Sequence, residues 1–166
     1  MAYDRADWHY GGNYPKELPP ENGGTHIGFF LAWAITRNLE GEIHTEDEPE
    51  IKALQAVRDR EKTGREFLFQ QCDEKFWSDD LNEVGNQFAE WYYNENEEGR
   101  PSYLSDYAVL FSNDLPNGDI YYLDDTWENF EKIASVIDQR FKEWKEGIPP
   151  RPLNISKRDP WWKFWK

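Results

Sequence analysis

The residues of this chain best suited to chemistry are its histidines, two of which stand near its start. His9 and His26 flank a glycine-rich opening, with Asp4, Asp7 and Glu21 nearby in the chain. Imidazoles and carboxylates are metal ligands, but this spacing matches no zinc signature, so we assign no metal and no cofactor. Because an imidazole in the first turn of a helix often satisfies loop backbone groups, we expect a structural role for both histidines.

The same opening segment supports an alternative interpretation, a pocket for a small ligand or for an enzyme's substrate. Two glycine pairs, two histidines and a carboxylate can frame a cleft. The side chains of this alternative pocket are Trp8, His9, Glu21, Asn22, Thr25 and His26. Convergence of His9, His26 and Glu21 in an open cleft would favour the pocket, whereas burial would favour the structural role.

The remaining reactive side chains do not predict catalysis. Cys72 has no basic neighbour to lower the pKa of its thiol, and Asp73 would raise it. The carboxylate pairs Asp79–Asp80 and Asp124–Asp125 precede predicted helices, where acidic residues are favoured by the helix dipole alone. The sequence contains no phosphate-binding loop, nucleophile elbow or dinucleotide fingerprint. We therefore predict that the protein is not an enzyme.

The elements that must position these residues are predicted to be mostly helices. A helix over residues 25–38 is apolar nearly all round, which is typical of a buried central helix. Asp47 is expected to cap a second helix, and a short third one follows over about residues 65–72. Ser78 is expected to cap a fourth, with Asp79 and Asp80 in its first turn. The clearest helix begins after Thr126 and closes at Gly147.

Apolar spacing indicates which faces of these helices meet the core. In the second helix, Ile51, Leu54 and Val57 are expected to face it, and in the fourth the apolar stripe is Leu81, Val84, Phe88 and Trp91. The last helix carries a longer stripe, composed of Trp127, Phe130, Ala134, Ile137, Phe141 and Trp144. Its length favours a docking face inside a monomer, and a coiled-coil seam in a dimer is the alternative.

These elements predict a single-domain, mainly α fold. Residues 1–24 are interpreted as a packed loop rich in glycine and proline, residues 25–147 as the helical body and residues 148–166 as a tryptophan-rich basic tail. Residues 107–123 are ambiguous. We favour a helix followed by an extended segment there, and a small β element would make the fold α+β.

The whole net charge of −14 falls in residues 73–131. This stretch holds 16 acidic and two basic residues, whereas the rest of the chain holds 17 of each. Such segregation repels nucleic acid and anionic membranes and attracts a basic protein surface. A face that only keeps the protein soluble is the alternative. We predict a basic protein partner, and neither nucleic acid nor membrane.

The partner-binding surface is predicted from the same stretch. Its acidic members are Asp79, Asp80, Glu83, Glu95, Glu97, Glu98, Asp124 and Asp125. Exposed members of Trp91, Tyr92 and Tyr93 would serve as aromatic anchors, because tryptophan and tyrosine dominate interface energetics.

The two ends of the chain bear on its location. The N-terminus lacks a basic region followed by an apolar stretch, and the longest apolar stretch, residues 27–35, is far below the roughly 20 residues that span a bilayer. We therefore expect a cytoplasmic protein. The tryptophan-rich tail could contact a membrane or nucleic acid. We favour a tail whose aromatic residues fold back over the core.

Several segments carry a resemblance to a known group of sequences, namely residues 3–12, 18–34, 64–68 and 125–130. Together they resemble an uncharacterised family of small bacterial cytosolic proteins, and the match covers most of the chain. Members of that family are similar to orphan proteins encoded beside polymorphic or contact-delivered toxins. The resemblance implies an immunity protein that neutralises a cognate toxin by binding it. Such a protein needs a rigid scaffold and a charged, aromatic surface.

Overall fold

A computed structural model describes residues 1–96 and 98–154 of the chain. Within them the chain is mainly α-helical, with one two-stranded antiparallel sheet. The strands are β1 (Ala2–Arg5) and β2 (Lys75–Trp77). The helices are α1 (Ala6–Tyr10), α2 (Thr25–Thr36), α3 (Glu48–Arg58), α4 (Gly64–Gln71), α5 (Glu83–Tyr92), α6 (Tyr103–Phe111) and α7 (Trp127–Glu146). Short 3-10 helices connect several of these elements.

Helix α2 is the centre of the fold, as its sequence predicted. All its residues from Thr25 to Ile35 are buried, because the helix is apolar on every side and other elements cover each face. Helix α4 packs closest to it. A Cβ atom at Gly64 would overlap the carbonyl oxygen of Gly28, so only a glycine pair allows the two backbones to approach this closely. The helix ends at Thr36, and Asn38 two residues later is left-handed with φ 57°, so the helix cannot continue through it.

The core around α2 is largely aromatic. Phe30 and Trp33 contact each other with ring centroids 5.6 Å apart, and Phe88 of α5 lies 5.3 Å from Trp33. Trp33 also donates a hydrogen bond of 2.8 Å to Asp138 of α7, which ties the last helix to the centre. Offset and edge-to-face aromatic pairs of this kind add about 0.5–1.5 kcal/mol each beyond the area they bury.

Helix α7 confirms the clearest sequence prediction. The Thr126 hydroxyl accepts from the backbone N–H of Asn129 at its start, and Gly147 ends it in the left-handed conformation with φ 66°. Each member of the predicted stripe is buried or packs against the core. The stripe is therefore occupied within the chain.

Residues 107–123 begin in the helix that we favoured, whereas the expected extended segment and the alternative β element are not found there. Ser102 and Ser105 cap α6 reciprocally, and this helix runs through Phe111. The Asp119 side chain then accepts from the N–H of Tyr121 and starts a 3-10 turn over residues 120–122. The β structure lies instead between β1 and β2, whose register places Asp4 opposite Phe76. Residues 1–24 are therefore not all loop, because β1 and α1 occupy residues 2–10.

One helix start and two apolar residues differ from expectation, whereas α4 lies within one residue of its predicted bounds. Thr63 caps α4 in a capping box with Glu66, and Asn82 rather than Ser78 caps α5. Asp79 and Asp80 belong to a separate 3-10 helix, because Leu81 after them is extended. Ile51 and Val84 are 47 % and 44 % exposed, so neither faces the core.

Two predictions fall outside the described residues. Glu97 is one of them, and residues 155–166, which hold most of the tryptophan-rich tail, are the other. Among the helices that the structure does describe, none combines the length and the apolar character that a membrane span needs.

Candidate functional site

Three side chains near the start of the chain meet in the interior. His9 Nε2 lies 2.8 Å from Asp4 Oδ1, and His26 Nε2 lies 3.0 Å from Asp4 Oδ2. The two imidazole rings stand edge to face with centroids 4.4 Å apart. Asp4 and His26 are buried, whereas the His9 side chain remains 19 % exposed. We refer to these three residues as the Asp4 cluster.

Backbone geometry holds the Asp4 cluster in place. Pairing of β1 with β2 fixes Asp4, and α1 starts directly after β1 with the Ala6 N–H donating to the Glu74 carbonyl. His26 stands in the first turn of α2, where its carbonyl oxygen accepts from the Tyr103 hydroxyl at 2.5 Å. A Cβ atom at Gly23 would lie 3.3 Å from that of His9, so a glycine there lets α1 approach the start of α2.

Further hydrogen bonds surround the cluster. The Asp4 carboxylate accepts from the Arg5 backbone N–H at 2.8 Å and from the Tyr93 hydroxyl at 2.9 Å. His9 Nδ1 lies 2.7 Å from the Tyr121 hydroxyl. Both oxygens of the carboxylate and both nitrogens of His9 therefore have partners, which fixes the orientation of each group.

The charges in the cluster follow from its burial. Burial opposes ionisation of Asp4, but hydrogen bonds from His26 and His9 outweigh it and hold the Asp4 pKa well below its usual value. Burial lowers the pKa of His26, against the opposing attraction of Asp4. Burial also raises the pKa of Tyr121 to about 12, so its hydroxyl keeps its proton at neutral pH. The cluster is thus an anionic carboxylate beside a neutral His26.

A second histidine cluster stands near the end of α4. His44 Nε2 lies 2.8 Å from Asp80 Oδ1, and Asp80 Oδ2 accepts from the Trp77 N–H at 2.7 Å. The ligand atoms of Cys72, His44 and Asp80 lie within 4.8 Å of one another. Burial, and then the nearby Asp80 carboxylate, raise the pKa of the Cys72 thiol, so it is neutral and poorly nucleophilic. We refer to these three residues as the Asp80 cluster.

A third buried network connects α5, α6 and α7. Arg140 donates two hydrogen bonds to Asp106, of 2.8 and 3.2 Å, and a third of 3.0 Å to Glu143. The Tyr92 hydroxyl donates to Asp106 at 2.8 Å. These residues form the Arg140 network, which sequence reasoning missed. The sequence feature that could have indicated this network is Arg140 itself, which lies three residues after Ile137 on the apolar side of α7.

A family model described as domain of unknown function DUF7832 matches residues 2–123. The chain belongs to the DUF7832 family. No curated protein and no solved structure matches it. The expectation of an uncharacterised family is confirmed.

The region matched by the DUF7832 model contains both histidine clusters and ends before α7. Asp4, His9, His26 and Tyr121 all belong to it, whereas Arg140 lies beyond it. The Asp4 cluster is therefore built entirely from the family region, and the Arg140 network is completed by a residue outside it.

The alternative pocket is not assembled as expected. His9 and His26 converge, but on Asp4 rather than on Glu21, which is exposed on the 3-10 helix before α2. Trp8 is also exposed, at 58 %. Asn22 and Thr25 instead each accept a hydrogen bond from Arg65, of 3.1 and 3.2 Å. Tyr121 completes the Asp4 cluster from 112 positions away in the chain, a contact that no local pattern in the sequence indicates.

Only some of the acidic residues predicted to form the partner-binding surface are exposed. Asp79, Glu83, Glu95, Glu98 and Asp124 are exposed. They stand at three places in the DUF7832 chain, namely before and at the start of α5, just after its end, and before α7. Since α5 has ten residues, its two ends are about 15 Å apart, and the acids before the helix are separated along it from those after it by about this length.

The other predicted surface residues are internal. Asp80 is buried against His44, and the nearly buried Asp125 carboxylate accepts from Thr63 and pairs with Arg65. Tyr92 and Tyr93 are fully buried because their hydroxyls bind Asp106 and Asp4 in the core. Their predicted role as surface anchors is thus wrong. Trp91 is half-buried, with the Arg100 guanidinium 5.2 Å above its ring.

Proposed function

We propose that this protein is a non-enzymatic immunity protein, which binds and neutralises a cognate toxin in the bacterial cytoplasm through its acidic surface. The observation that carries the proposal is the division of its carboxylates. Buried acids are matched by internal donors, whereas Asp79, Glu83, Glu95 and Asp124 are exposed and form no ion pair with any described lysine or arginine. Such carboxylates are available to a basic protein.

The local charge supports a basic partner. The stretch from residue 73 to residue 131 carries the whole net charge of −14. A field of this sign speeds encounter with a cationic surface and opposes binding of nucleic acid or an anionic membrane. A toxin that acts on nucleic acid needs such a cationic surface, and an acidic inhibitor could occlude it.

The start of α5 is the strongest part of this surface. Trp77 is 40 % exposed, and Asp79 and Glu83 follow it closely in the chain. The Ser78 N–H donates a hydrogen bond to the Met1 carbonyl, which places the exposed Met1 next to Trp77. A partly exposed tryptophan next to two carboxylates provides the aromatic anchor that Tyr92 and Tyr93 cannot supply. Because the α7 stripe is occupied within the chain, we propose that the protein binds as a monomer.

Charge reversal at this position tests the proposal. The candidate toxin is the product of the open reading frame adjacent to the gene, and binding is measured by surface plasmon resonance at low and high salt. We expect Asp79→Lys/Glu83→Lys to slow association about tenfold or more at low salt, with a smaller effect at high salt.

The matched control is Glu46→Lys/Glu61→Lys. It makes the same change in net charge at two exposed acids outside residues 73–131. Equal slowing by both variants would show only a general charge effect, and unchanged association in the first variant would exclude the start of α5 as the binding surface. Absence of any complex with the candidate toxin, together with unaltered toxicity on co-expression, would refute the immunity role.

A further inference from the structure

The buried carboxylates of this protein are neutralised in two different ways. Asp106 and Glu143 share the permanent charge of Arg140. The Asp4 carboxylate, equally buried, has no described lysine or arginine against it, because the neighbouring Arg5 guanidinium binds Asp7 instead, at 2.6 and 2.9 Å. Its partners are two imidazoles, a phenol and a backbone N–H. A buried anion without a permanent counter-charge is an expensive arrangement that a cation would stabilise.

We propose that Asp4, His9 and His26 form a binding site for one divalent first-row transition metal ion, such as Zn²⁺. Their ligand atoms all lie within 4.8 Å of one another. Ligands placed about 2 Å from a zinc ion stand roughly 3 Å apart. The two distances between histidine nitrogens and carboxylate oxygens, 2.8 and 3.0 Å, are close to that separation. Since every ligand atom lies within 4.8 Å of the others, an ion placed among them could be reached by all three side chains after the atoms furthest apart move closer.

Ion binding would replace the hydrogen bonds that Asp4 makes with the two histidines, because the Nε2 atoms of the rings lie 2.8 and 3.0 Å from the carboxylate oxygens. Metal binding requires neutral imidazoles and an ionised carboxylate. Each Nε2 atom would therefore have to give up the proton that it shares with Asp4 before it could bind the ion. When His9 binds the ion through Nε2, its proton resides on Nδ1. The Tyr121 oxygen, 2.7 Å away, can accept a hydrogen bond from it there. No net loss of a proton from a neutral His9 is then required.

The partners around His9 and Asp4 match those of known metal sites. Ligating histidines usually bind a second group through their other nitrogen, and ligating carboxylates are themselves hydrogen-bonded. Tyr121 is the second group bound by His9. The Tyr93 hydroxyl and the Arg5 N–H donate hydrogen bonds to the Asp4 carboxylate. Two imidazole nitrogens with one carboxylate suit zinc, iron or cobalt, whereas Mg²⁺ and Ca²⁺ prefer oxygen ligands throughout.

The Asp80 cluster is the matched comparison within the same chain. It also offers three ligand types within 4.8 Å, but its thiol has a raised pKa and would have to lose its proton inside the core. His44 and Asp80 are both buried, whereas His9 keeps one side of the Asp4 cluster open to solvent. We therefore assign the ion to the Asp4 cluster.

The experiment uses full-length protein, first freed of metal with a chelator and then titrated with Zn²⁺ by calorimetry. We expect one equivalent to bind at the Asp4 cluster and to raise the melting temperature. His9→Gln should weaken Zn²⁺ binding more than about 100-fold, while His44→Gln should leave the affinity of that site unchanged. Tyr121→Phe should weaken it by about 10–100-fold, the usual cost of removing an outer-shell partner. Cobalt absorption spectra of the same proteins report on nitrogen ligation.

Each result bears on the assignment. Failure of the wild-type protein to bind Zn²⁺ or Co²⁺ stoichiometrically would overturn it. Loss of binding in His44→Gln but not in His9→Gln would move the ion to the Asp80 cluster and also overturn it. Should far-ultraviolet circular dichroism show that His9→Gln is unfolded, Tyr121→Phe decides, and unchanged Zn²⁺ affinity in that variant would refute the site.

Discussion

The Asp4 cluster and the Arg140 network solve the same physical problem with different chemistry. Both place a carboxylate in the core, and both use a tyrosine from the end of α5, since Tyr92 donates to Asp106 and Tyr93 to Asp4. Arg140 carries a permanent charge that locks three helices together. Histidines carry a charge only when they are protonated, so they give the Asp4 carboxylate no permanent counter-charge, and a metal cation could supply one. The difference distinguishes a structural ion pair from a candidate binding site.

Removing the arginine should have the largest effect. In Arg140→Met, Asp106 and Glu143 remain in the core without a counter-charge, and breaking a buried pair in this way costs about 3–5 kcal/mol of unfolding free energy. Urea denaturation measures the loss. The control Arg37→Met removes the half-exposed pair with Asp138 and should cost below about 1 kcal/mol.

A double variant sharpens the same prediction. In Arg140→Met/Asp106→Leu one buried anion is removed together with its partner, so the loss should be clearly smaller than the sum of the two single losses. Additive losses would mean that Arg140 stabilises the fold by packing and not by neutralising Asp106.

The next largest loss of stability is expected from disturbing the contact between α2 and α4, because α2 carries His26 of the Asp4 cluster. Gly64→Ala forces α4 away from Gly28 in α2, the helix that carries His26, and such overpacking costs about 1–3 kcal/mol. Gly12→Ala is the control, because a Cβ atom at Gly12 has no other atom within 4 Å. We expect thermal unfolding to show a marked loss for the first variant only. Equal stability of the two variants would contradict the close contact of α2 with α4.

The smallest effect compares the two neighbouring tyrosines directly. Tyr93→Phe removes a donor from a carboxylate that has no arginine, whereas Tyr92→Phe removes one from a carboxylate that Arg140 still neutralises. We expect a loss of about 1–2 kcal/mol for the first variant and about 1 kcal/mol for the second, measured by urea denaturation in metal-free buffer. A larger loss of unfolding free energy in Tyr92→Phe would contradict the expectation that Asp4 depends more on its tyrosine donor than Asp106 does.

Local sequence patterns predicted most helices correctly but did not predict which polar side chains are buried. The start and end of α7 followed from Thr126 and Gly147, because a cap and a left-handed glycine act within one turn. The sheet was missed because Ala2 pairs with Trp77, and such a pairing leaves no periodic trace in either short strand. Asp80 and Tyr93 were predicted at the surface because they lie in a charged stretch. Both are buried, because Asp80 binds His44 and Tyr93 binds Asp4.

The sequence by itself determined the helical character of the chain, its buried central helix and the segregation of its charge, because these depend on composition and on spacing within one element. Only the tertiary structure decided which carboxylates face solvent and which histidines share Asp4. The physical reason is that burial of a polar side chain depends on whether a distant donor meets it, and chain folding alone brings Asp4, His26 and Tyr121 to one point.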